Sequence, residues 1–276
     1  MSGRRLDPHD RPLVVEFVGP PGGGKTTLLP VVAAALRQAG LTPFTVVEAA
    51  RPLAARTRLG RRLHAGGSGR RSRQLAWALY RLQSELAGAA AIPSTWPLAW
   101  RAVRSQLGRP AAADAGTRRV LHWLRRVHAA TAHFRRHGRP GEVLVLDEGY
   151  VHRVVQLFAS GVEVPARRDV EDYLATVPVP DLLVAVRTPV ETCTARIRAR
   201  GVWSRLRAAD GDELEQFVVN AHRAASLAVD VARQRGWRLV EIDNDGVDPR
   251  TVAATLEFAV ASHLPAATSA RAEVAS

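Results

Sequence analysis

Lysine is almost absent from this chain of 276 residues. Lys25 is the single lysine, and arginine supplies every other one of the 39 basic side chains. An ammonium is a compact charge on a flexible stem, whereas a guanidinium is planar and prefers bidentate partners. The lone lysine therefore indicates that position 25 needs a compact cation.

Cysteine is equally scarce, with Cys193 as the single one. One cysteine excludes internal disulfides and a cysteine cluster for metal, and it fits a reducing cytoplasm. The sequence has no apolar run that approaches the ~18–20 residues of a membrane span. Its start, MSGRRLDPHDRP, lacks the apolar segment of a secretory signal. We therefore predict a cytoplasmic protein without a membrane span.

The charge is one-sided, at a formal +13. Such a balance suits either a surface for nucleic acid or anionic lipid, or an arginine-rich composition in which some cations serve a small polyanion. The arginines are spread over the chain without a long basic block, which favours the small polyanion. The hydrophobic fraction of 46% and the charged fraction of 24% are those of a globular protein.

The segment GPPGGGKTT (residues 19–27) matches the pattern G-x-x-x-x-G-K-[ST] of phosphate-binding loops. We call residues 19–24 the glycine loop. Glycines let the backbone turn and aim N–H groups at phosphate oxygens, and the next helix adds its positive dipole end. Lys25 then reaches the β- and γ-phosphates, and the Thr26 hydroxyl binds Mg²⁺. The predicted ATP contacts here are Gly19, Gly22, Gly23, Gly24, Lys25, Thr26 and Thr27.

Five apolar segments are typical of parallel strands, because helical patterns separate them. They cover residues 13–18, 44–48, 142–146, 182–187 and 237–243. The predicted fold class is α/β, a doubly wound five-stranded parallel sheet with a helical insertion at about 53–138 between strands two and three. We expect residues 1–264 to form one domain and residues 265–276 to form a disordered tail.

A second motif, EVLVLDEGYVHR (residues 142–153), ends an apolar strand in Asp147 and Glu148. The carboxyl edge of a parallel sheet is where ligands bind. A carboxylate there can join the Mg²⁺ shell or take the proton of an attacking hydroxyl. We therefore assign Asp147 to metal and catalysis and Glu148 to catalysis. His152 and Arg153 fall in the first turn of the next helix, facing the cleft.

A third segment, residues 180–208, is rich in arginine. Thr188-Pro-Val-Glu191 predicts a capping box at the start of a helix. The helix and the loop after it carry Arg196, Arg200, Arg205 and Arg207. We expect a lid at about 196–211 that closes over phosphates and neutralises the charge that develops during transfer.

The helical insertion contains several tryptophans and histidines, which raise the question of base stacking or a metal site. Their helical spacing favours a role in packing or at the solvated surface for both sets. They are Trp77, Trp96, Trp100, Trp123, His122, His128, His133 and His137.

These motifs resemble the thymidylate kinase-like branch of the P-loop kinases, and bacterial ATP-binding kinase-like proteins in particular. The resemblance spans about residues 12–262 and rests on FVGPPGGGKTT, VLVLDEGYVHR, PDLLVAVRTPVETCTARIRARG and GWRLVEIDNDG. It implies that the glycine loop binds ATP, that Asp147 is the strand-end acid and that Asn244 lies in the loop bordering adenine. It also implies that Arg196 and Arg200 are catalytic lid-side arginines.

The chain departs from this family at one informative position. Thymidylate kinases carry an arginine directly after the strand-end acid, where it binds the acceptor's phosphate, and here that residue is Glu148. A phosphorylated acceptor would therefore need Arg153 or Arg51 instead. Glu48 and Arg205 complete the residues that we assign to the acceptor.

The leading prediction is an ATP- and Mg²⁺-dependent kinase that acts on a nucleotide, a nucleoside or another hydroxyl compound, with a homodimer left open. Two alternatives stay open at this stage. One is a P-loop ATPase in which Glu148 activates water and hydrolysis drives a partner. The other is a nucleic-acid-binding NTPase that uses the basic helical block.

Overall fold

The computed structural model describes residues 11–57, 70–90, 97, 100, 113–159, 164–201 and 211–264. Five strands form one sheet in the order β2-β3-β1-β4-β5, and every pairing is parallel. The strands are β1 Leu13–Val18, β2 Thr42–Phe44, β3 Glu142–Leu146, β4 Leu182–Arg187 and β5 Leu239–Asp243. Because β1 lies between β3 and β4, the loops after these three strands meet at one edge of the sheet.

The helices within the described ranges cover both faces of the sheet. They are α1 Lys25–Gln38, α2 Val46–Arg56, α3 Arg70–Ala90, α4 Ala113–His137, α5 Arg153–Phe158, α6 Arg167–Leu174, α7 Val190–Arg200, α8 Gly211–Gln234 and α9 Pro249–His263. The α/β, doubly wound fold class predicted from the sequence is confirmed.

The two faces follow from the alternation of side chains along β1. Leu13, Val15 and Phe17 pack into a core formed with α1 and α9. Val14 and Val18 point to the opposite face, into the larger core that α2, α5, α6 and α8 cover. The same period of two directs Glu16 into that larger core, where it is 1% exposed.

The second strand is where the sequence prediction was wrong. Residues 44–48 were expected as a strand, but β2 ends at Phe44 and α2 begins at Val46. Thr45 caps α2 through the Glu48 N–H, and the Glu48 carboxylate accepts the Thr45 N–H at 2.8 Å, which completes a capping box. Glu48 therefore ends no strand, and its carboxylate is used in capping a helix. β5 also begins two residues later than predicted, at Leu239.

The helical insertion between β2 and β3 is present as α3 and α4. Leu79 and Tyr80 of α3 and Leu124 and Phe134 of α4 enter the larger core. Residues 91–112 of this insertion lie outside the described residues, apart from Pro97 and Trp100. The tail at 265–276 lies outside them as well. Across the described part of the chain, no helix combines the length and the apolar character needed to cross a membrane.

The described tryptophans and histidines of the insertion either pack in the interior or lie at the surface, as Trp100 does. Trp77 stacks on Tyr80 with ring centroids 5.6 Å apart, and His133 is fully buried between Tyr80 and His137. Among the described side chains no group of three or more His, Cys, Asp or Glu could hold a metal ion. Trp96 lies outside the described residues.

Candidate active site at the carboxyl edge of the sheet

The glycine loop connects β1 to α1 and turns tightly on backbone contacts. The Gly23 N–H donates to the Pro20 carbonyl at 3.1 Å, and Gly24 has a φ of 88°. A Cβ at Gly24 would lie 2.0 Å from the Asn244 Nδ2, and one at Gly22 would lie 2.5 Å from the Cys193 carbonyl oxygen. Space and backbone conformation therefore both require glycine at these positions.

The N-terminus of α1 is left open by its own sequence. Its N-cap residue is Gly24, which has no side chain to accept a hydrogen bond from the first turn. The first N–H groups of a helix have no intrahelical acceptor, and they carry the positive end of the helix dipole. By contrast, Thr45 caps α2 and Asp248 caps α9. The start of α1 is thus suited to bind an anion.

Lys25 is the first residue of α1 and is only 8% exposed. Its Nζ donates to the carbonyl oxygens of Gly19 at 2.9 Å and Pro20 at 3.0 Å, so it curls over the glycine loop. Burial lowers the pKa of Lys25 to about 8, although the charges of Glu148 and Asp147 oppose this shift. A buried ammonium held by neutral carbonyls gains free energy when an anion approaches.

Three residues from distant parts of the chain hold the glycine loop from outside. The Thr188 Oγ1 and the Asn244 Nδ2 both donate to the Gly23 carbonyl, at 3.0 Å and 2.8 Å. The Arg196 Nη2 donates to the Asn244 carbonyl at 3.0 Å. Asn244 and Arg196 therefore lie at the glycine loop, and their predicted roles at adenine and in catalysis stay predictions. The predicted Thr188 capping box is wrong, because α7 has Pro189 as its N-cap and the Thr188 hydroxyl is bound to Gly23.

Asp147 and Glu148 follow β3 directly, and both are exposed. Residues 147–152 form what we call the β3 turn. The Arg153 guanidinium binds back onto it, because its Nη2 donates to the Glu148 carbonyl at 2.9 Å and its Nη1 lies 3.4 Å from the Glu148 Oε2. The Gln156 Nε2 donates to the same Oε2 at 3.2 Å. One carboxylate oxygen of Glu148 is therefore held from two sides.

Glu16 is a residue of the site that the sequence-based prediction missed. Its carboxylate lies under the β3 turn and accepts the His152 N–H at 3.0 Å. A Cβ on Gly149 would lie 2.3 Å from the Glu16 carboxyl carbon, so the turn sits directly on this side chain. Burial raises the pKa of Glu16 to about 7, against the opposing effect of backbone N–H groups and Arg153. The available signal was one acidic residue within the apolar segment LVVEFV.

His152 is also buried at the β3 turn, at 3% exposed. Its Nε2 lies 3.9 Å from the Glu148 Oε1, and its Nδ1 has no hydrogen-bond partner among the described residues. Burial and the positive charges of Lys25 and Arg153 lower its pKa well below the ordinary value, so the imidazole is neutral at physiological pH.

The remaining predicted residues are exposed or lie outside the described part of the chain. Thr26 and Thr27 are exposed in the first turn of α1, as a metal or phosphate contact requires. Arg51 is exposed on α2, and Arg200 is exposed at the end of α7, where its charge contributes to lowering the pKa of Lys25. Arg205 lies outside the described residues, as does most of the expected lid.

A cleft of about 740 Å³ opens beside the glycine loop on the side of β4 and β5. Its lining includes Gly19, Pro20, Thr188 and Asp245, together with one face of α8. It does not include Lys25 or the β3 turn. The cleft therefore borders the loop from the side opposite the strand-end carboxylates.

The chain was compared with protein-family models, curated proteins and solved structures. No protein-family model matches the chain, and no curated protein matches it in sequence. Among solved structures, deoxyadenosine kinase from M. mycoides with bound dATP is similar at 12% identity, over 90% of this chain and 99% of that chain, with a TM-score of 0.33. A TM-score this low supports no conclusion about function. The resemblance to thymidylate kinases stays a prediction from the motifs.

Proposed function

We propose that this protein is an ATP- and Mg²⁺-dependent kinase that transfers the γ-phosphate of ATP to a hydroxyl acceptor. The observation that carries the proposal is the open N-terminus of α1 with the buried Lys25 at its first position, beside the carboxylates that end β3. Phosphoryl transfer needs mainly such positioned cations and N–H donors, together with an oxygen base.

Lys25 and the glycine loop bind the phosphates of ATP in this proposal. The N–H groups at the start of α1 donate to phosphate oxygens, and the Lys25 Nζ leaves the carbonyls of Gly19 and Pro20 to contact the β- and γ-phosphates. A charge that is preorganised in a buried site stabilises the transition state without further reorganisation.

The residues present fit a magnesium ion. Mg²⁺ is usually bound by one or two protein oxygens together with substrate phosphates. Thr26 in the first turn of α1 and Asp147 in the β3 turn are both exposed, so their oxygens are accessible and would be the ones to hold such an ion. When bound, the ion would neutralise part of the phosphate charge.

Asp147 and Glu148 are the bases that we propose for the acceptor. Either carboxylate can accept the hydroxyl proton as the acceptor oxygen attacks phosphorus. Asp147 is exposed directly after β3, whereas Arg153 and Gln156 hold Glu148 in place. We therefore propose that Asp147 takes the proton and that Glu148 orients the hydroxyl.

The proposed kinase also has a lid at residues 196–211. Its support is the contact of Arg196 with the Asn244 carbonyl and the exposed Arg200 at the end of α7. If the segment closes on nucleotide, its amide hydrogen exchange slows with ATP and acceptor bound. Unchanged exchange across 196–211 would remove the lid from the proposal.

A screen with labelled ATP over nucleotides, nucleosides and sugars tests the function, with water alone as the control. We expect label in one acceptor class, lost in Lys25→Ala. Hydrolysis in water alone that equals the best acceptor rate would indicate the ATPase instead. Glu148→Gln separates the two further, because an ATPase would lose hydrolysis and trap ATP, whereas the kinase would keep a reduced transfer.

A further inference from the structure

Arg153 is the cation nearest the strand-end carboxylates, and its charge is already neutralised by the protein. From this we infer that the acceptor is an uncharged hydroxyl compound, such as a nucleoside or sugar, and that Glu148 keeps the phosphate of a phosphorylated one away from Arg153. The inference rests on the proposed kinase function and adds the substrate class.

The contacts of Arg153 leave little of its guanidinium for a ligand. Nη1 donates to the Gln156 Oε1 and lies 3.4 Å from the Glu148 Oε2, while Nη2 donates to the Glu148 carbonyl at 2.9 Å. Its guanidinium carbon lies 4.9 Å from the ring centre of Trp123. The side chain is 5% exposed and its Nε is buried. A phosphate could bind Arg153 only by displacing Glu148.

Glu148 also repels an anion from this position. Its side chain is 46% exposed, and Asp147 beside it is exposed as well. Two carboxylates therefore lie beside the single guanidinium of Arg153, and Glu148 is the one that pairs with it. A phosphomonoester carries up to two negative charges and would meet like charge there.

A neutral hydroxyl fits the same groups. The Glu148 Oε1 lies 3.9 Å from the neutral His152 and can accept a hydrogen bond from an O–H group, while Arg153 and Gln156 hold the other oxygen. In the transfer, the acceptor O–H bond breaks and its proton passes to Asp147. The oxygen bonds to the γ-phosphorus as the bond from phosphorus to the bridging oxygen breaks, and ADP leaves.

A first experiment compares matched acceptors in pairs, each compound against an ester that carries phosphate on a hydroxyl other than the accepting one, for example nucleosides against both their 3′- and 5′-monophosphates. We expect kcat/KM to be at least about tenfold higher for the uncharged member. A phosphorylated member that is preferred by that factor would overturn the inference while leaving the kinase intact. Absence of transfer to every compound counts against the kinase itself, and the second experiment then decides the inference.

The second experiment measures inorganic phosphate binding by calorimetry in a Lys25→Ala background, which removes the main cation of the glycine loop. We expect no binding at millimolar phosphate. Adding Glu148→Gln removes the negative charge that pairs with Arg153, makes residue 148 easier to displace, and should tighten phosphate binding by about tenfold or more. Asp147→Asn is the matched control, because it removes the same charge without releasing Arg153, and should give a smaller gain.

Loss of the gained binding on adding Arg153→Met assigns it to the guanidinium. If that variant does not fold, Arg153→Lys replaces it, since an ammonium keeps the charge but not the paired donors. Two results would overturn the inference. One is phosphate binding in Lys25→Ala alone that depends on Arg153, and the other is no gain from Glu148→Gln.

Discussion

Two buried cations lie at the carboxyl edge of the sheet, and the protein treats them differently. Lys25 is 8% exposed and donates to two neutral carbonyls of the glycine loop. Arg153 is 4% exposed and is paired with the carboxylate of Glu148. Burial lowers the pKa of both side chains. The difference is that Arg153 contacts a carboxylate, whereas Lys25 contacts carbonyl oxygens.

The difference indicates where a ligand's negative charge belongs. A buried cation without a contacting anion is costly to the folded protein, and a bound anion removes that cost. A buried cation with a built-in carboxylate has nothing to gain from a second anion. We therefore propose Lys25 as the position for phosphate, whereas Arg153 holds the β3 turn through Glu148.

Replacing Lys25 should have the largest effect and tests one side of the comparison. We expect Lys25→Ala to lower turnover by about 10²- to 10³-fold, because a preorganised charge is removed from the transition state. Lys25→Arg should be impaired as well, since a bulkier planar group must fit a buried position. Steady-state kinetics with the Arg37→Ala control, on the exposed face of α1, measure this. Near-normal turnover in folded Lys25→Ala contradicts the proposed function.

Replacing Asp147 tests the β3 turn, where the strand-end carboxylates lie. Asp147→Asn should reduce turnover by about 10²-fold, the usual contribution of a positioned base. Binding of ATP with Mg²⁺, measured by calorimetry, should fall less, because the glycine loop is untouched. Asp212→Asn, an exposed carboxylate on α8, is the control. An equal loss of binding and turnover would indicate that Asp147 acts only on the nucleotide.

Glu16 should make the stability of the protein depend on pH. It lies under the β3 turn, near Arg153, His152, Tyr150 and Tyr173. In the folded protein its pKa is raised to about 7 from 4.5. The folded state thus binds the extra proton between these values, so this group lowers stability as pH rises through that window.

We expect the stability of the wild type relative to Glu16→Gln to fall by on the order of 3 kcal/mol between about pH 4.5 and 7, then to level off. Urea unfolding at several pH values measures it. Glu213→Gln, which changes an exposed carboxylate of α8, should show no such trend. A difference that stays constant with pH would mean that Glu16 is ionised throughout.

The smallest expected effect is the uptake of a fraction of a proton by Lys25 when ATP binds. Its pKa of about 8 leaves it half protonated near pH 8, and phosphate oxygens raise that pKa on binding. ATP binding at pH 8 should therefore take up about half a proton. Calorimetry in two buffers of different ionisation enthalpy detects it, with Lys25→Met as the control. Equal uptake in Lys25→Met would place the proton elsewhere.

The parts that the sequence predicted correctly are short-range. The glycine loop needs only the order strand, glycines, helix, and Asp147 needs only a strand that ends before it. At residues 45–48 the sequence supported two structures, because Val46 and Val47 favour a strand while Thr45 and Glu48 form a capping box. The capping box formed, so Glu48 lies in the first turn of α2 and not at the end of a strand.

The sequence alone thus determined the glycine loop between β1 and α1 and the strand-end carboxylates, since each depends on residues within a few positions of one another. It also determined the parallel sheet, through the alternation of strands and helices along the chain. Only the tertiary structure decided which side chains support them. Thr188 and Asn244 reach the Gly23 carbonyl across 165 and 221 residues, and Glu16 reaches the His152 N–H across 136. Such partners meet because β1 lies between β3 and β4, and chain spacing carries no record of which strands become neighbours.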